Sequence, residues 1–449
     1  MRRPLAETAA ERAPDHLLVT SPAGTVSAGE AAALGPAADL GAEAIALVWV
    51  EDVPDLVRLM LAFDGQIGAM MFVSVHQPAD VVAALAERIG ATVVICDRPD
   101  LAAGLSADLP VRLPSQAVGP RRTALDTPTT WLMTTSGTTG IPKVVPHTTA
   151  SLARTARTPR PGQVPVFGLL YELSRYGGVQ VALQAILGGG TLAAAPPDTD
   201  TAEQAVFLAD AGCTHLSATP SLWRRLLMVP DADRLPLRQA TLGGEIADQA
   251  LLDRVAARFP EARITHIYGS TETGIAFGVT DRKAGFPVAF LEDPPGGIGL
   301  EIRDGLIWMR PPDNRRARYL NNERLTVDDQ GFVLTGDRVE IRGDRVMFLG
   351  REGGLINVGG VKVWPEQVEA VIGAVPGVAL AQVGAKRNPI TGALLTATVL
   401  PADPGVDRTA LRDAILAACR ARLEREAVPA RIAFTDRIET NAAGKISRT

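Results

Sequence analysis

Cysteine is scarce. Only Cys96, Cys213 and Cys419 occur in 449 residues. They are odd in number and far apart, so no disulfide framework or zinc knuckle is visible. The five histidines, His16, His76, His147, His215 and His266, show no metal-ligand spacing. Such cysteine usage fits a reducing compartment, and a cytoplasmic location is the expectation. Aromatic residues make up 4% of the chain. No apolar run reaches the roughly 18 residues that a membrane-spanning helix needs. The basic start, Met1-Arg2-Arg3-Pro4, is followed by Glu7 and Glu11 rather than an apolar stretch, so no signal peptide is expected. Positive charge is not in excess: 45 Lys and Arg against 50 Asp and Glu leave a net charge of −5. That argues against a nucleic-acid scaffold, because phosphate backbones select basic faces.

Apolar residues are plentiful, at 46%. This is ample for a core, and at roughly 100–200 residues per domain the length suggests two to four folding units. Residues 44–97 read as strand, helix, strand, helix, strand: an apolar run at 44–50, helical periodicity at 53–63, a strand at 67–75, a helix from Pro78 to Arg88 stopped by Gly90, and a strand at 91–96. That order implies parallel strands with right-handed crossovers. A second series alternates from 201 to 269. After about residue 300 the texture changes to short strands at 306–309, 332–334, 339–341 and 346–348, the last two flanking a hairpin-like turn. Residues 350–360 form a glycine-rich joint. Beyond it the order is strand, helix (365–372), strands (379–383 and 394–400), helix (408–424) and strand (431–434).

Five segments carry chemistry. Thr135-Ser136-Gly137-Thr138-Thr139-Gly140-Ile141-Pro142-Lys143 packs hydroxyls and glycines ahead of a lysine. Glycines expose successive backbone N–H groups and the lysine adds a charge, which suits a polyphosphate. It is not a Walker loop, since Pro142 stands where that loop wants glycine. Tyr268-Gly269-Ser270-Thr271-Glu272-Thr273-Gly274 sets a carboxylate at a strand end, suited to Mg²⁺, beside an aromatic suited to a purine. Gly336-Asp337 offers an acid for the two hydroxyls of a ribose. The segment from Gly350 to Lys362, containing Arg351, Gly353 and Gly354, makes a hinge plausible. The tail Asn441-Ala442-Ala443-Gly444-Lys445-Ile446-Ser447-Arg448 carries two basic residues, Lys445 and Arg448. Each segment also has a plain structural reading: a polar turn, a solvated glutamate, a Gly-Asp turn, a loop and a frayed basic terminus.

In this order and on this background the five segments resemble those of the adenylate-forming superfamily of acyl-CoA synthetases, adenylation enzymes and luciferases, over roughly residues 40–449. The resemblance implies an α/β fold: a large N-terminal AMP-binding adenylation domain of mixed sheets with flanking helices (1–350) and a small mobile α+β C-terminal lid (351–449). It implies that Thr135, Ser136, Gly137, Thr138, Thr139, Gly140 and Lys143 cradle the ATP phosphates. Gly243, Gly244 and Glu245 would line the adenine, and Tyr268, with Gly269 and Ser270 beside it, would stack on the ring. Thr271 would contact the α-phosphate, Glu272 would hold Mg²⁺, and Asp337 would bind the ribose with Arg351 nearby. Lys445 would reach both the attacking carboxylate and the α-phosphate.

The activity implied is that of an AMP-forming acid–thiol ligase. ATP activates a small-molecule acid, pyrophosphate leaves, and a thiol of CoA or of phosphopantetheine on a separate carrier protein takes the acyl group. Alternatives are capture of the adenylate by an amine, activation of an oxyanion such as nitrite, or a nucleotide-binding homologue without turnover.

Three positions depart from the resembling pattern: Val144 replaces a glycine, Gly353 replaces a charged pivot, and 438–440 lacks a proline. His147, Tyr171, Arg175, Tyr176, Thr273 and Gly274 are the acyl-pocket candidates. His147 also reads as an N-terminal helix residue. Arg175 either pairs with an acid such as Glu172 or meets an anionic group on the substrate, since a buried, unpartnered guanidinium is costly.

Overall fold

The computed structural model describes residues 3–105, 108–135, 141–157, 162, 164–195, 199–312, 318–320, 325–388 and 392–438. The chain forms two compact units. The first comprises Met1–Ser217, Arg234–Arg238 and Ala317–Leu325; the second comprises Ala218–Asp233, Gln239–Arg316 and Thr326–Thr449.

In the first unit, alternating strands and helices build a six-stranded sheet. Its order is Val144–Thr148, Thr130–Thr134, Ala69–Phe72, Ile45–Trp49, Val93–Cys96 and Val111–Arg112. All neighbours are parallel except the first pair. Successive strand residues point to opposite faces, and both faces are covered. Ala46, Val48, Met70 and Phe72 join the core that holds helix Val53–Phe63. Leu47, Trp49, Met71 and Val94 pack with Val82, Leu85 and Ile89 of helix Ala79–Ile89. The first helix starts where Asp52 accepts the Asp55 N–H. The second stops at Gly90, in the left-handed region. A second run of strands in this unit has the order His215–Ala218, Val166–Leu169, Thr191–Ala194, Leu17–Ser21 and Gly24–Ser27, with only the last pair antiparallel.

In the second unit, Gln239–Gly243 runs parallel to Arg263–Ser270, which pairs antiparallel with Gly274–Val279. A five-stranded antiparallel sheet follows, ordered Phe286–Pro287, Arg345–Arg351, Val333–Arg342, Leu306–Arg310 and Gly299–Arg303. The C-terminal stretch has a core of its own, running from Val358 and Val363 through Ile372, Val383 and Val399 to Ile415 and Ile432. Helices Pro365–Gly373 and Arg408–Arg422 and strands Val378–Asn388, Gly392–Pro401 and Arg431–Phe434 build it. The α/β class with mixed sheets and a small α+β C-terminal part is therefore what the chain adopts.

Two element expectations change. The strand expected at 67–75 is shorter, Ala69–Phe72. The strands expected at 332–334 and 339–341 are one, Val333–Arg342, whose register shifts between Arg338 and Val339. Gly336, at φ 76°, accounts for this: a left-handed residue inside a strand has the sequence signature of a turn.

Candidate active site

The residues singled out from sequence are divided between the two units. In the first, strands Thr130–Thr134 and Val144–Thr148 pair with Thr134 opposite Val144, and the hydroxyl- and glycine-rich segment joins them. Its base is closed by the Thr135 N–H, which donates to the Lys143 carbonyl at 2.9 Å. The Lys143 ammonium sits 4.6 Å from the ring centroid of Tyr319, within cation–π range. Ser136, Gly137, Thr138, Thr139 and Gly140 lie outside the described residues. Val144 is buried with Leu132 and Leu47, so its side chain fills core space.

The base of this loop has a brace that the sequence did not announce. Asp64, buried in the core, accepts from Trp131 Nε1 at 3.2 Å, from the Thr149 hydroxyl and from the Leu5 N–H at 2.9 Å. One carboxylate thus ties the outgoing strand to the segment just after the returning one. Burial pushes its carboxyl above the ordinary aspartate range, against the pull of those donors.

His147 is buried in strand Val144–Thr148, not at a helix start; the following helix begins at Thr149 with Thr148 as its cap. Its Nδ1 lies 3.3 Å from Ser151 Oγ, and its ring centroid is 5.7 Å from that of Tyr176. Tyr176 opens helix Tyr176–Leu187. A Cβ added at Gly177 would meet the Tyr171 ring at 3.5 Å, so Tyr171 packs on that same first turn.

Of the two readings of Arg175, the structure holds the pairing. Its Nε lies 3.6 Å from Glu172 Oε2, both side chains being 17% exposed. Glu172 also accepts from Ser174 at 3.0 Å and has His76 Nε2 at 3.5 Å. Yet Arg175 Nε and Glu172 Oε1 are buried without a hydrogen-bond partner, so the pair is a loose one. His76 had no signal in the sequence: it lies about a hundred positions away in an unremarked turn.

In the second unit, Gly243 ends strand Gln239–Gly243 and Gly244 and Glu245 follow. Glu245 Oε2 accepts the Ser221 N–H at 2.8 Å. Strand Arg263–Ser270 carries Tyr268, Gly269 and Ser270 and turns back at Gly274. Gly269 is required there: an added Cβ would lie 2.6 Å from the Gly274 carbonyl oxygen and 2.8 Å from Ile275 Cα. Ser270 Oγ accepts the Thr273 N–H at 3.2 Å and lies 3.0 Å from Thr273 Oγ1. This small closed turn holds Thr271 and Glu272 at its tip, while Thr273 is buried.

Three separate segments then converge. The Tyr268 hydroxyl donates to Asp337 Oδ2 at 2.6 Å, and Arg351 Nε donates to Asp337 Oδ1 at 3.1 Å. Asp337 and Arg351 face each other across adjacent strands. Thr335 supports Asp337 by accepting its N–H at 3.1 Å and donating to the Ile307 carbonyl at 2.9 Å. The Tyr268 ring packs against Phe348 and Phe277, with centroids 4.8 and 5.6 Å away. Burial, and then the charge of Asp337, push its phenol well above the ordinary range, so it remains a donor. Desolvation pulls Arg351 down, but Asp337, Glu272 and Tyr268 outweigh it and raise its guanidinium.

Among the described residues no group of three His, Cys, Asp or Glu is placed to cage a metal ion. A single carboxylate at a turn tip does fit Mg²⁺, which keeps waters and shares its remaining sites with phosphate oxygens. Gly353 lies in the turn Glu352–Gly354 with an ordinary φ and nothing within 4 Å of an added Cβ. Lys445 lies outside the described residues.

A family model described as AMP-binding enzyme matches residues 28–304, and one described as AMP-binding enzyme C-terminal domain matches 367–445. The chain is 28% identical to phosphinothricin tripeptide synthetase PhsB of Streptomyces viridochromogenes, over 85% of this chain and 33% of that protein. It is 29% identical to 2-succinylbenzoate–CoA ligase of Escherichia coli, over 54% of this chain and 52% of that one. The chain thus spans a third to about half of these curated relatives. The solved structure of the anthranilate CoA ligase AuaEII with anthranoyl-AMP aligns at a TM-score of 0.81 and 16% identity, covering 99% of this chain and 95% of that one, which is likeness of fold.

Proposed function

This chain belongs to the AMP-binding enzyme family, and from that premise we propose that it activates a small-molecule carboxylic acid with ATP. Pyrophosphate leaves, and the acyl group passes from the acyl-adenylate to a thiol, either of CoA or of phosphopantetheine on a separate carrier protein. The observation that carries the reading is the convergence on Asp337. Tyr268 and Arg351, each singled out from its own segment, both donate to this one carboxylate. Two charge-assisted hydrogen bonds orient Asp337 and leave lone pairs for the two hydroxyls of a ribose.

The roles follow from chemistry. The loop closed between Thr135 and Lys143 offers backbone donors and one ammonium to the departing phosphates. Tyr268 and the segment Gly243-Gly244-Glu245 border the base. Thr271 donates to the α-phosphate. Glu272 would hold Mg²⁺, which when bound would supply positive charge to offset negative charge growing on the phosphate oxygens. The substrate carboxylate attacks the α-phosphorus in line, so no side chain becomes a nucleophile. Positioning and preorganised charge supply the acceleration. Lys445 reaches the attacking oxygen in this step. The lid, residues 351–449, then turns about Gly353, the thiol attacks the acyl carbonyl and AMP leaves. Among the described residues no helix is long and apolar enough to cross a membrane. The three free cysteines fit a reducing compartment, and we place the reaction in the cytoplasm.

The test is pyrophosphate release over a panel of aryl, short-chain, fatty and amino acids, followed by AMP and thioester formation with CoA or a pantetheinyl protein. Lys445→Ala is the control and should slow the first step by about 10²–10³-fold, the scale of losing one preorganised donor. A wild-type protein that binds ATP but releases no pyrophosphate with any acid contradicts the proposal.

A further inference from the structure

The short helix Pro220–Leu226 is fastened to the segment around Glu245. Thr219 caps it, accepting the Leu222 N–H at 3.1 Å. Glu245 takes the Ser221 N–H, Trp223 Nε1 donates to the Thr241 carbonyl at 2.9 Å, and Arg224 pairs with Asp248. These contacts make the helix and residues 241–248 a single platform. From it Arg225 extends and donates to the main-chain carbonyl of Ile438, 213 positions later. Ile438 itself is only 2% exposed.

That contact forms in an unfavourable setting. Burial lowers the Arg225 guanidinium, the like charge of Arg437 lowers it further, and Glu245 offsets part of this. A charged donor to a buried carbonyl holds strongly, while a neighbouring like charge keeps the contact breakable. The sequence also sets the contact close to chemistry: Ile438 stands seven positions before Lys445.

We infer that Arg225 is a positioning residue for the adenylation half-reaction: it latches the chain at Ile438 to the platform that carries Glu245, and the latch opens for thiol transfer. This rests on the two-step reading above. A latch that acts in one step only separates the two half-reactions, which general loss of structure does not do.

The experiment compares the wild-type full chain with Arg225→Leu and Arg225→Lys in three assays. These are pyrophosphate release with the best acid, thioester formation from synthetic acyl-adenylate, and trypsin cleavage of the Arg437–Ile438 bond. For Arg225→Leu we expect pyrophosphate release slowed about tenfold, the loss of one charged hydrogen bond. Thioester formation should be unchanged and cleavage at Arg437 should speed up about tenfold. Arg225→Lys should recover most of the first effect. Should the leucine variant fail to fold, Arg225→Gln carries the same comparison. Equal slowing of both half-reactions, unaltered pyrophosphate release, or unaltered cleavage each overturns the inference. If the wild type releases no pyrophosphate with any acid, the two-step reading fails while the trypsin assay still decides the latch.

Discussion

Tyr268 and Asp337, 69 positions apart in the chain, share a hydrogen bond of 2.6 Å. The phenol is a fixed donor, and Arg351 holds the other carboxylate oxygen. Tyr268→Phe removes one of the two anchors and keeps the ring. A hydrogen bond to a charged group contributes about 1.5–3 kcal/mol. The variant should therefore raise the KM for ATP about tenfold or more, with a small change in kcat. Pyrophosphate-release kinetics over a range of ATP concentrations measure this. An unchanged KM argues that the phenol serves packing with Phe277 and Phe348 alone.

Glu172 partly neutralises Arg175 and leaves one buried N–H of that guanidinium unbonded. Glu172→Gln removes the charge and keeps the shape. If this segment lines the acid pocket, the variant should favour dicarboxylic acids. We expect the ratio of kcat/KM for a diacid over its monoacid analogue to rise about tenfold, the scale of one unpaired charge gaining a partner. A flat ratio across the panel places Arg175 away from the substrate.

Two histidines, half-buried His215 and buried His266, set a pH dependence. Burial depresses both His215 and His266 below the ordinary histidine value of 6.5. A group depressed on folding contributes stability above its unfolded pKa and loses it as pH falls through that value. Denaturant midpoints should therefore decline from pH 7.5 to pH 5.5, and His266→Gln should flatten that decline. Asp64 is raised by burial, so it acts in the opposite direction at lower pH. For that reason the difference between wild type and variant is the quantity to read. A variant with the same slope as wild type removes His266 from the account.

Glycine matters at one of two positions and not at the other. Gly269→Ala forces a methyl group to within 2.6 Å of the Gly274 carbonyl oxygen and should cost about 1–3 kcal/mol. Gly353→Ala has an ordinary φ and open space around it, and should add about 0.4–1 kcal/mol by restricting the unfolded chain. Chemical denaturation of the two variants decides. A Gly353→Ala protein as destabilised as Gly269→Ala contradicts the geometry of the turn Glu352–Gly354.

The alternation of strand and helix was legible because burial on both sheet faces leaves continuous apolar runs, as at Ile45–Trp49, and an amphipathic period, as at Val53–Phe63. The strand Val333–Arg342 reads as two in the sequence because Gly336 carries turn chemistry into a sheet. Within the candidate site, Tyr268 stands in a dense motif and Asp337 in a short Gly-Asp segment, so both are legible as candidates. Asp64, His76 and Arg225 are not. Each acts through a partner tens to hundreds of positions away, and a single aspartate, histidine or arginine has no local pattern to distinguish it.

The most direct test of the central claim follows an oxygen atom. With an acid labelled with ¹⁸O in both carboxylate positions, attack on the α-phosphorus followed by thiol transfer must leave one labelled oxygen in AMP and one in the thioester. Mass spectrometry of the nucleotide product reads this after a single turnover. The account predicts AMP carrying one heavy oxygen. Unlabelled AMP, or label in inorganic phosphate alongside ADP, contradicts it.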